Sequence, residues 1–315
     1  MIDKKILLIS HIADEDGITP VILAKLVYKE VDVILTNPNE VDEYVKENID
    51  KYEIIHITDL SITEDYAKEL EKDEIKREKI KLFDHHATAL SLNKYSFAKV
   101  VVEEKGYKQS GTTLYYRYLL KKSNDKILRK KSTKGLIEQV RLIDTYDFKT
   151  EKDKEALNLD YLFSLLGREN YIEYFTNYIK ENEIFEYSKR EKFLIKLQKD
   201  KIDNYIKQKD KEVIFANVDG YDVAIVYAES NRSLLGNFLT EKYNIDFAII
   251  INISTSISYR GTDKVDLSVF SSNYGGGGHK NASGSPLPKD TLKRITKTLF
   301  KKVIYKEEKK WKNIM

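Results

Sequence analysis

Three polar clusters in the amino-terminal half have the residue types of a hydrolytic metal site: His11 with Asp14 and Asp16, then Asp59, then Asp84-His85-His86. Each follows a short apolar run that reads as a buried strand: Lys5 to Ser10, Glu53 to Thr58 and Ile80 to Phe83. In a parallel sheet the loops after such strands gather at the carboxyl edge, where open α/β folds keep their sites. Four carboxylates and three imidazoles would then share one cleft. Unit charges about 4 Å apart repel by on the order of 4 kcal/mol at an effective dielectric near 20, so such a cluster calls for cations. Oxygen and nitrogen donors without sulfur favour Mn²⁺ or Mg²⁺, with Co²⁺ or Zn²⁺ able to enter the same cage. Two ions about 3.5–4 Å apart clamp a phosphorus centre for attack by a metal-activated hydroxide, which makes phosphoester hydrolysis the expected reaction.

Each piece has a plainer reading when taken alone. Asp14-x-Asp16-Gly17 is ordinary turn chemistry, and Asp59 suits the cap of a helix starting near Thr63. Asp84-His85-His86 is harder to dismiss, because a carboxylate and two imidazoles ending a buried strand need partners. The conjunction of separate segments carries the argument. His56 lies three residues before Asp59, points to the opposite face of its strand, and reads as structural.

A second constellation lies near the carboxyl end. Gly275 to Gly278 leave backbone amides unscreened and able to wrap an anion, with a mobile surface loop as the bland alternative. His279 directly after them, and Arg260 after a predicted strand, add donors suited to a phosphate or carboxylate. Asn281 and Lys280 are lesser contacts or simply solvated surface.

The elements that must position these groups alternate as β–α units over residues 1–150. A helix is expected to open at Pro20, and further strands at Val31 to Leu35 and Val100 to Glu104. Residues 151–211 read as a helical connector. Residues 212–315 form a smaller α/β domain that opens with two strands joined at Asp219-Gly220, a dipeptide suited to a tight hairpin. That domain continues with strands at Phe247 to Ile253, Ser256 to Tyr259 and Val265 to Phe270. At 315 residues, 41% hydrophobic and 33% charged, the chain is neither a disordered coat nor a membrane span. Its net charge of +3 falls short of the field expected of a protein that coats long nucleic acid, so a nucleic-acid partner is small or gripped locally. The absence of cysteine and of an export signal at the start predicts a cytoplasmic protein.

Asp84-His85-His86-Ala87, with Asp14-Glu15-Asp16-Gly17, Asp59 and Asp144, resembles the signature of the DHH phosphoesterase superfamily. Gly275 to Gly278 followed by His279-Lys280-Asn281-Ala282-Ser283-Gly284 resembles its DHHA1-type carboxyl-terminal motif. The segments Ile57 to Ser61, Phe83 to Leu90 and Val140 to Tyr146 are most similar to oligoribonucleases of the nanoRNase B type. The resemblance implies a DHH metal-binding domain with a mostly parallel sheet, a helical connector and a DHHA1-type substrate-binding domain. It implies one ion on His11, Asp14 and Asp59, and another on Asp16, Asp59, His85 and Asp144, with Asp59 bridging. Asp84 would orient a histidine and His86 would face the substrate phosphate, while Arg260, Gly276, Gly277, Gly278, His279 and Asn281 would hold the substrate. The implied activity is stepwise hydrolysis of short RNA oligonucleotides or dinucleotides with two divalent ions. A 3′,5′-bisphosphate nucleotide phosphatase and a cyclic or linear dinucleotide phosphodiesterase are enzymatic alternatives, and an RNA-binding module is the non-enzymatic one.

Overall fold

The computed structural model describes residues 2–148 and 155–303. The chain forms two compact units, Met1–Gln198 and Lys199–Met315. The boundary expected between residues 150 and 151 lies outside the described residues, as does the part of the last domain beyond 303.

The first unit runs β1 (Ile2–His11), α1 (Glu15–Val27), β2 (Tyr28–Thr36), α2 (Val41–Asn48), β3 (Ile54–Thr58), α3 (Glu64–Glu71), α4 (Glu74–Lys79), β4 (Ile80–Asp84) and β5 (Ala98–Val100). A two-residue ribbon, β6 (Glu103–Glu104) and β7 (Tyr107–Lys108), precedes α5 (Gly111–Lys122), α6 (Lys131–Asp144), α7 (Leu157–Glu181) and α8 (Lys189–Asp210), within which the two units divide. The sheet order is β2-β1-β3-β4-β5, and every pairing is parallel. Both faces are covered, which is why the strands read as unbroken apolar runs. Along β1, Leu7 and Ile9 pack with Ile55, Ile57 and Leu82 on one side, while Ile6 and Leu8 pack with Val21, Leu114 and Tyr115 on the other. Burying each such side chain stabilises the fold by about 1.5–3 kcal/mol.

The start of α1 differs from expectation for a reason that matters at the site. Asp14, in extended conformation, accepts from the Gly17 amide at 3.1 Å and starts the helix at Glu15 rather than at Pro20. Pro20 then lies inside the helix without the N–H that would meet the Asp16 carbonyl. The Thr112 hydroxyl donates to that carbonyl instead, at 2.9 Å.

His56 lies on the far face of β3, fully buried among Tyr28, Phe83, Tyr115 and Tyr118, with Nδ1 2.8 Å from the Tyr115 hydroxyl. Burial, helped by Lys81, lowers its pKa to about 3, so the folded protein holds it neutral. An unfolded chain protonates this histidine below its ordinary value near 6.5, whereas the fold resists until about 3. The stability it confers is therefore complete above pH 6.5 and declines as pH falls toward 3, by up to about 1.4 kcal/mol per pH unit. Urea midpoints measured from pH 7 to pH 4 should fall more steeply for the wild type than for His56→Phe. Parallel slopes would refute this account.

The second unit contains β8 (Ile214–Val218), β9 (Tyr221–Tyr227), α9 (Arg232–Lys242), β10 (Phe247–Asn252), β11 (Ser256–Gly261), α10 (Leu267–Ser272), β12 (Gly277–His279), β13 (Ala282–Pro286) and α11 (Thr291–Leu299). The sheet order is β12-β13-β11-β10-β9-β8, with β9 and β10 parallel and the remaining pairs antiparallel. Asp219 and Gly220 both adopt positive φ at the β8–β9 hairpin, as a two-residue turn of that composition requires. The segment expected as a strand over Val265 to Phe270 is instead mostly helical, because Asp266 accepts from the Ser268 and Val269 amides and caps α10. Leu267 and Phe270 then pack with Val223, Phe247 and Tyr259. No helix among the described residues is long and apolar enough to cross a membrane.

Candidate metal centre and phosphate pocket

His11 ends β1, Asp59 directly follows β3, and Asp84 ends β4, so these residues meet at the carboxyl edge of three adjacent parallel strands. Asp59 takes a positive φ of 55°, conformationally costly for a residue with a Cβ, and its amide donates to the Phe83 carbonyl at 2.9 Å. Its carboxylate lies between two histidines, 3.4 Å from His11 Nδ1 and 3.2 Å from His85 Nε2. His11 Nδ1 also lies 3.6 Å from Asp14, and His85 Nε2 lies 3.4 Å from Asp144 and 3.7 Å from Asp16. Two donor groups result, His11–Asp14–Asp59 and Asp16–His85–Asp144, each with ligand atoms within 4.8 Å of one another. Asp59 and His85 also belong to a third such group with Asp84 and His86.

The scaffold holds these carboxylates by backbone. The first two amides of α5 point at Asp16, Gly111 at 2.6 Å and Thr112 at 2.9 Å, so a helix amino terminus faces the carboxylate. Two glycines make the close packing possible. A Cβ on Gly111 would come 2.7 Å from Asp59 Cβ, and one on Gly17 would come 2.1 Å from the His11 carbonyl oxygen. Asp84 is nearly saturated: one oxygen accepts from the His85 amide at 2.7 Å, the His86 amide at 3.2 Å and His86 Nδ1 at 2.7 Å, and the other accepts from Ser61 at 2.5 Å. Asp147, three residues beyond Asp144, lies apart from the donor groups and instead meets Arg141 at 2.7 Å and Lys108 at 2.9 Å.

Burial and mutual repulsion shape the charges. Burial, with Asp59 adjacent, lifts Asp16 to about 6 against the pull of His85 and the Thr112 amide. Burial lifts Asp144 well above the carboxylate range despite His85, with Asp16 and Asp59 adding to the rise. Burial would raise Asp59 too, but His11 and His85 outweigh it and hold that carboxyl well below its usual range. Burial would lower His11, yet Asp14 and Asp59 carry it to about 10. Asp144 Oδ2 accepts no hydrogen bond among the described residues although it is buried. Excess negative charge, a buried carboxylate oxygen that accepts no hydrogen bond and has only the His85 ring 3.4 Å away, and oxygen and imidazole ligands free of sulfur together fit divalent cations.

A cavity of about 450 Å³ opens beside Asp59, Asp84 and His86. The second unit carries its own cavity of about 420 Å³, lined by Arg260, Gly277, Gly278 and Arg232. The Arg260 guanidinium is fixed by Ser233 at 2.7 Å and by the Tyr259 carbonyl at 2.8 Å. Gly276 packs against Gly284 so closely that a Cβ would sit 2.0 Å from the Gly284 oxygen. His279 ends β12, and Asn281 donates to Asp263 at 3.2 Å. The glycine run is thus partly a strand paired with β13. Sequence reasoning missed Arg232, Thr112 and Ser61. Ser110-Gly111-Thr112 does have the form of a helix start, but nothing local ties it to Asp16.

No family model matches the chain. Oligoribonuclease NrnB of Bacillus subtilis (strain 168) is 31% identical over 299 residues, covering 91% of this chain and 74% of that protein. The DHH domain of a member of a ribosomal-protein family superposes with a TM-score of 0.59 at 16% identity, covering 94% of this chain and 86% of that one. A pGpG-specific phosphodiesterase, PggH, from Vibrio cholerae superposes with a TM-score of 0.54 at 15% identity, covering 94% and 97%. At that identity the structural likenesses show a shared fold.

Proposed function

The chain belongs to the DHH/DHHA1 phosphoesterase family that includes oligoribonuclease NrnB, and from that membership we propose that it hydrolyses short RNA oligonucleotides to mononucleotides. The observation that carries this reading is the pair of donor groups at one sheet edge, His11–Asp14–Asp59 and Asp16–His85–Asp144, with Asp59 and His85 also within reach of His86. We assign one divalent ion to His11, Asp14 and Asp59, and a second to Asp16, Asp59, His85 and Asp144, with Mn²⁺ as the first candidate. When bound, the ions supply an activated water and offset negative charge on the phosphate.

The protein's own groups do the rest. Asp84 engages Nδ1 of His86 and fixes the ring, so Nε2 is the atom that donates to a nonbridging phosphate oxygen. Burial disfavours the charged ring, but Asp84 overcomes it and raises the pKa of His86, which favours the donor form. Asp84 is a positioning residue in this scheme. We assign residues 212–315 to substrate binding, with Arg260, Gly276, Gly277, Gly278, His279 and Asn281 as the contacts, and residues 1–150 to metal binding, linked by 151–211. The expected site of action is the cytoplasm.

Arg260→Ala should raise KM for short RNA by about 10–100-fold, the weight of a charge-assisted hydrogen bond, with little change in metal affinity. Steady-state kinetics beside a Mn²⁺ titration checks this, and an unchanged KM removes the assignment. The function itself is tested by product analysis with short 5′-phosphorylated RNAs, linear and cyclic dinucleotides, adenosine 3′,5′-bisphosphate and pyrophosphate, each with Mn²⁺ and with chelator. Mononucleotides released stepwise from RNA only with metal are expected. Turnover confined to the bisphosphate or the cyclic dinucleotide, or none at all, overturns the proposal.

A further inference from the structure

Residues 121–134, which join α5 to α6, read KKSNDKILRKKSTK. Lys121, Lys122, Lys126, Arg129, Lys131 and Lys134 are all exposed, and none has a carboxylate partner among the described residues. Lys122 alone makes a ring contact, 5.9 Å from the centre of Tyr118. The one acid in the stretch, Asp125, accepts from the Ile127 amide at 3.1 Å. Lys130 is committed elsewhere, to the Ile179 and Lys180 carbonyls and to Glu183.

This concentration is not background. The whole chain carries only +3, yet these six cations gather here with no carboxylate partner among the described residues. Lys131 and Lys134 occupy the first turn of α6, which has no acidic residue, so they face the positive end of a helix dipole. At the edge of the same corner, burial and then Lys122 lower the pKa of Lys81, against Glu78. Such unrelieved repulsion is offset when a polyanion binds.

The corner is remote from the donor groups. Gly111 opens α5 and Asp144 closes α6 at the metal centre, so the far ends lie about 18 Å and 21 Å away, for helices of 12 and 14 residues at 1.5 Å per residue. Lys81 lies near the amino end of β4, opposite the sheet edge that carries Asp84. None of the large exposed hydrophobic residues falls within 121–134, so the surface offers charge without the apolar centre of a protein interface.

We propose that residues 121–134 form a second, non-catalytic surface that grips the phosphate backbone of single-stranded RNA. The choice of RNA over other polyanions rests on the substrate class proposed above. The surface would hold the part of an RNA strand that lies beyond the nucleotides being cut and so raise the local concentration of that strand at the enzyme.

Fluorescence anisotropy with a 5′-labelled oligo(A) of about 24 nucleotides tests this in an Asp59→Asn background that leaves the RNA intact. Changing Lys121, Lys122, Lys131 and Lys134 together to Glu should weaken binding at least about tenfold and reduce the log–log salt slope by roughly 3, at about 0.7 per lost contact. The same four positions changed to Arg should keep both values, which separates charge from folding. In the chain with Asp59 intact, the Glu variant should cleave a dinucleotide within about twofold of the wild type, since no contact to the reacting phosphate is removed. Equal affinity and slope before and after substitution overturn the inference. So does dinucleotide cleavage that falls together with binding, or equal retention of polyglutamate and RNA. Patch-dependent binding by a chain that cleaves no RNA leaves this surface standing and overturns the catalytic reading alone.

Discussion

Asp59→Asn should lose at least about 10³-fold in kcat/KM while keeping its fold, because roughly 4 kcal/mol of transition-state stabilisation is of the size a metal clamp supplies. Asp59 is 3% exposed and is the carboxylate within 3.4 Å of His11 and 3.2 Å of His85. Asparagine keeps the shape and one carbonyl oxygen but removes the charge and replaces the second acceptor by a donor. One face of the pair then presents N–H groups to an imidazole or a cation. The rise in Tm that Mn²⁺ gives the wild type should shrink in the variant, since a ligand stabilises only as strongly as it binds the folded state. Normal turnover with an unchanged Mn²⁺ response would remove Asp59 from the centre of the scheme. Circular dichroism that matches the wild type ensures that a loss is read as chemistry.

Gly111→Ala should lose about 10²-fold in turnover although it replaces no ligand. Alanine at the first position of α5 would by itself favour the helix by about 0.5–1 kcal/mol. The new methyl would lie 2.7 Å from Asp59 Cβ and 2.8 Å from its amide nitrogen, atoms of a buried backbone that cannot swing aside. Relief requires α5 to retreat, and α5 also supplies the Gly111 amide that holds Asp16 at 2.6 Å. One methyl therefore displaces residues assigned to both ions, and overpacking of this kind costs about 1–3 kcal/mol. Thermal unfolding and steady-state kinetics on the same preparation check this. A variant more stable than the wild type with full activity would show that the helix gain wins and that the approach is slack.

Four strands of the first unit were legible because burial leaves an apolar signature, as in Ile6 to Ile9, whereas the strand expected over Val100 to Glu104 is divided between the end of β5 at Val100 and the separate, exposed β6 at Glu103–Glu104. The candidate site was legible because its members follow those strands directly: His11, Asp59 and Asp84 each stand at a strand end. What sequence concealed is contact between distant segments. Pro20 looked like a helix opening because local rules cannot see that Thr112 compensates the carbonyl it leaves behind. Val265 to Phe270 has strand-like residues, and only the capping of Asp266 decides for a helix. Asp144 and Asp147 are equivalent by composition, and they separate only when Arg141 and Lys108 take Asp147 out of reach. Arg232 stays invisible because its neighbours in the second cavity come from β11, β12 and β13.

The spread of the donor groups along the chain also sets when the centre can first exist. His11 leaves the ribosome with the first strand, whereas Asp144 emerges only at the end of α6. At about 5–20 residues per second the nascent chain spends on the order of ten seconds with an incomplete set. In the parallel order β2-β1-β3-β4-β5, the strands that align Asp59 and Asp84 also pair only after their crossovers have formed. A chain cut short before Asp144 already carries the His11–Asp14–Asp59 group and the Asp59–Asp84–His85–His86 group, so the Asp16–His85–Asp144 group is the last to be completed during synthesis.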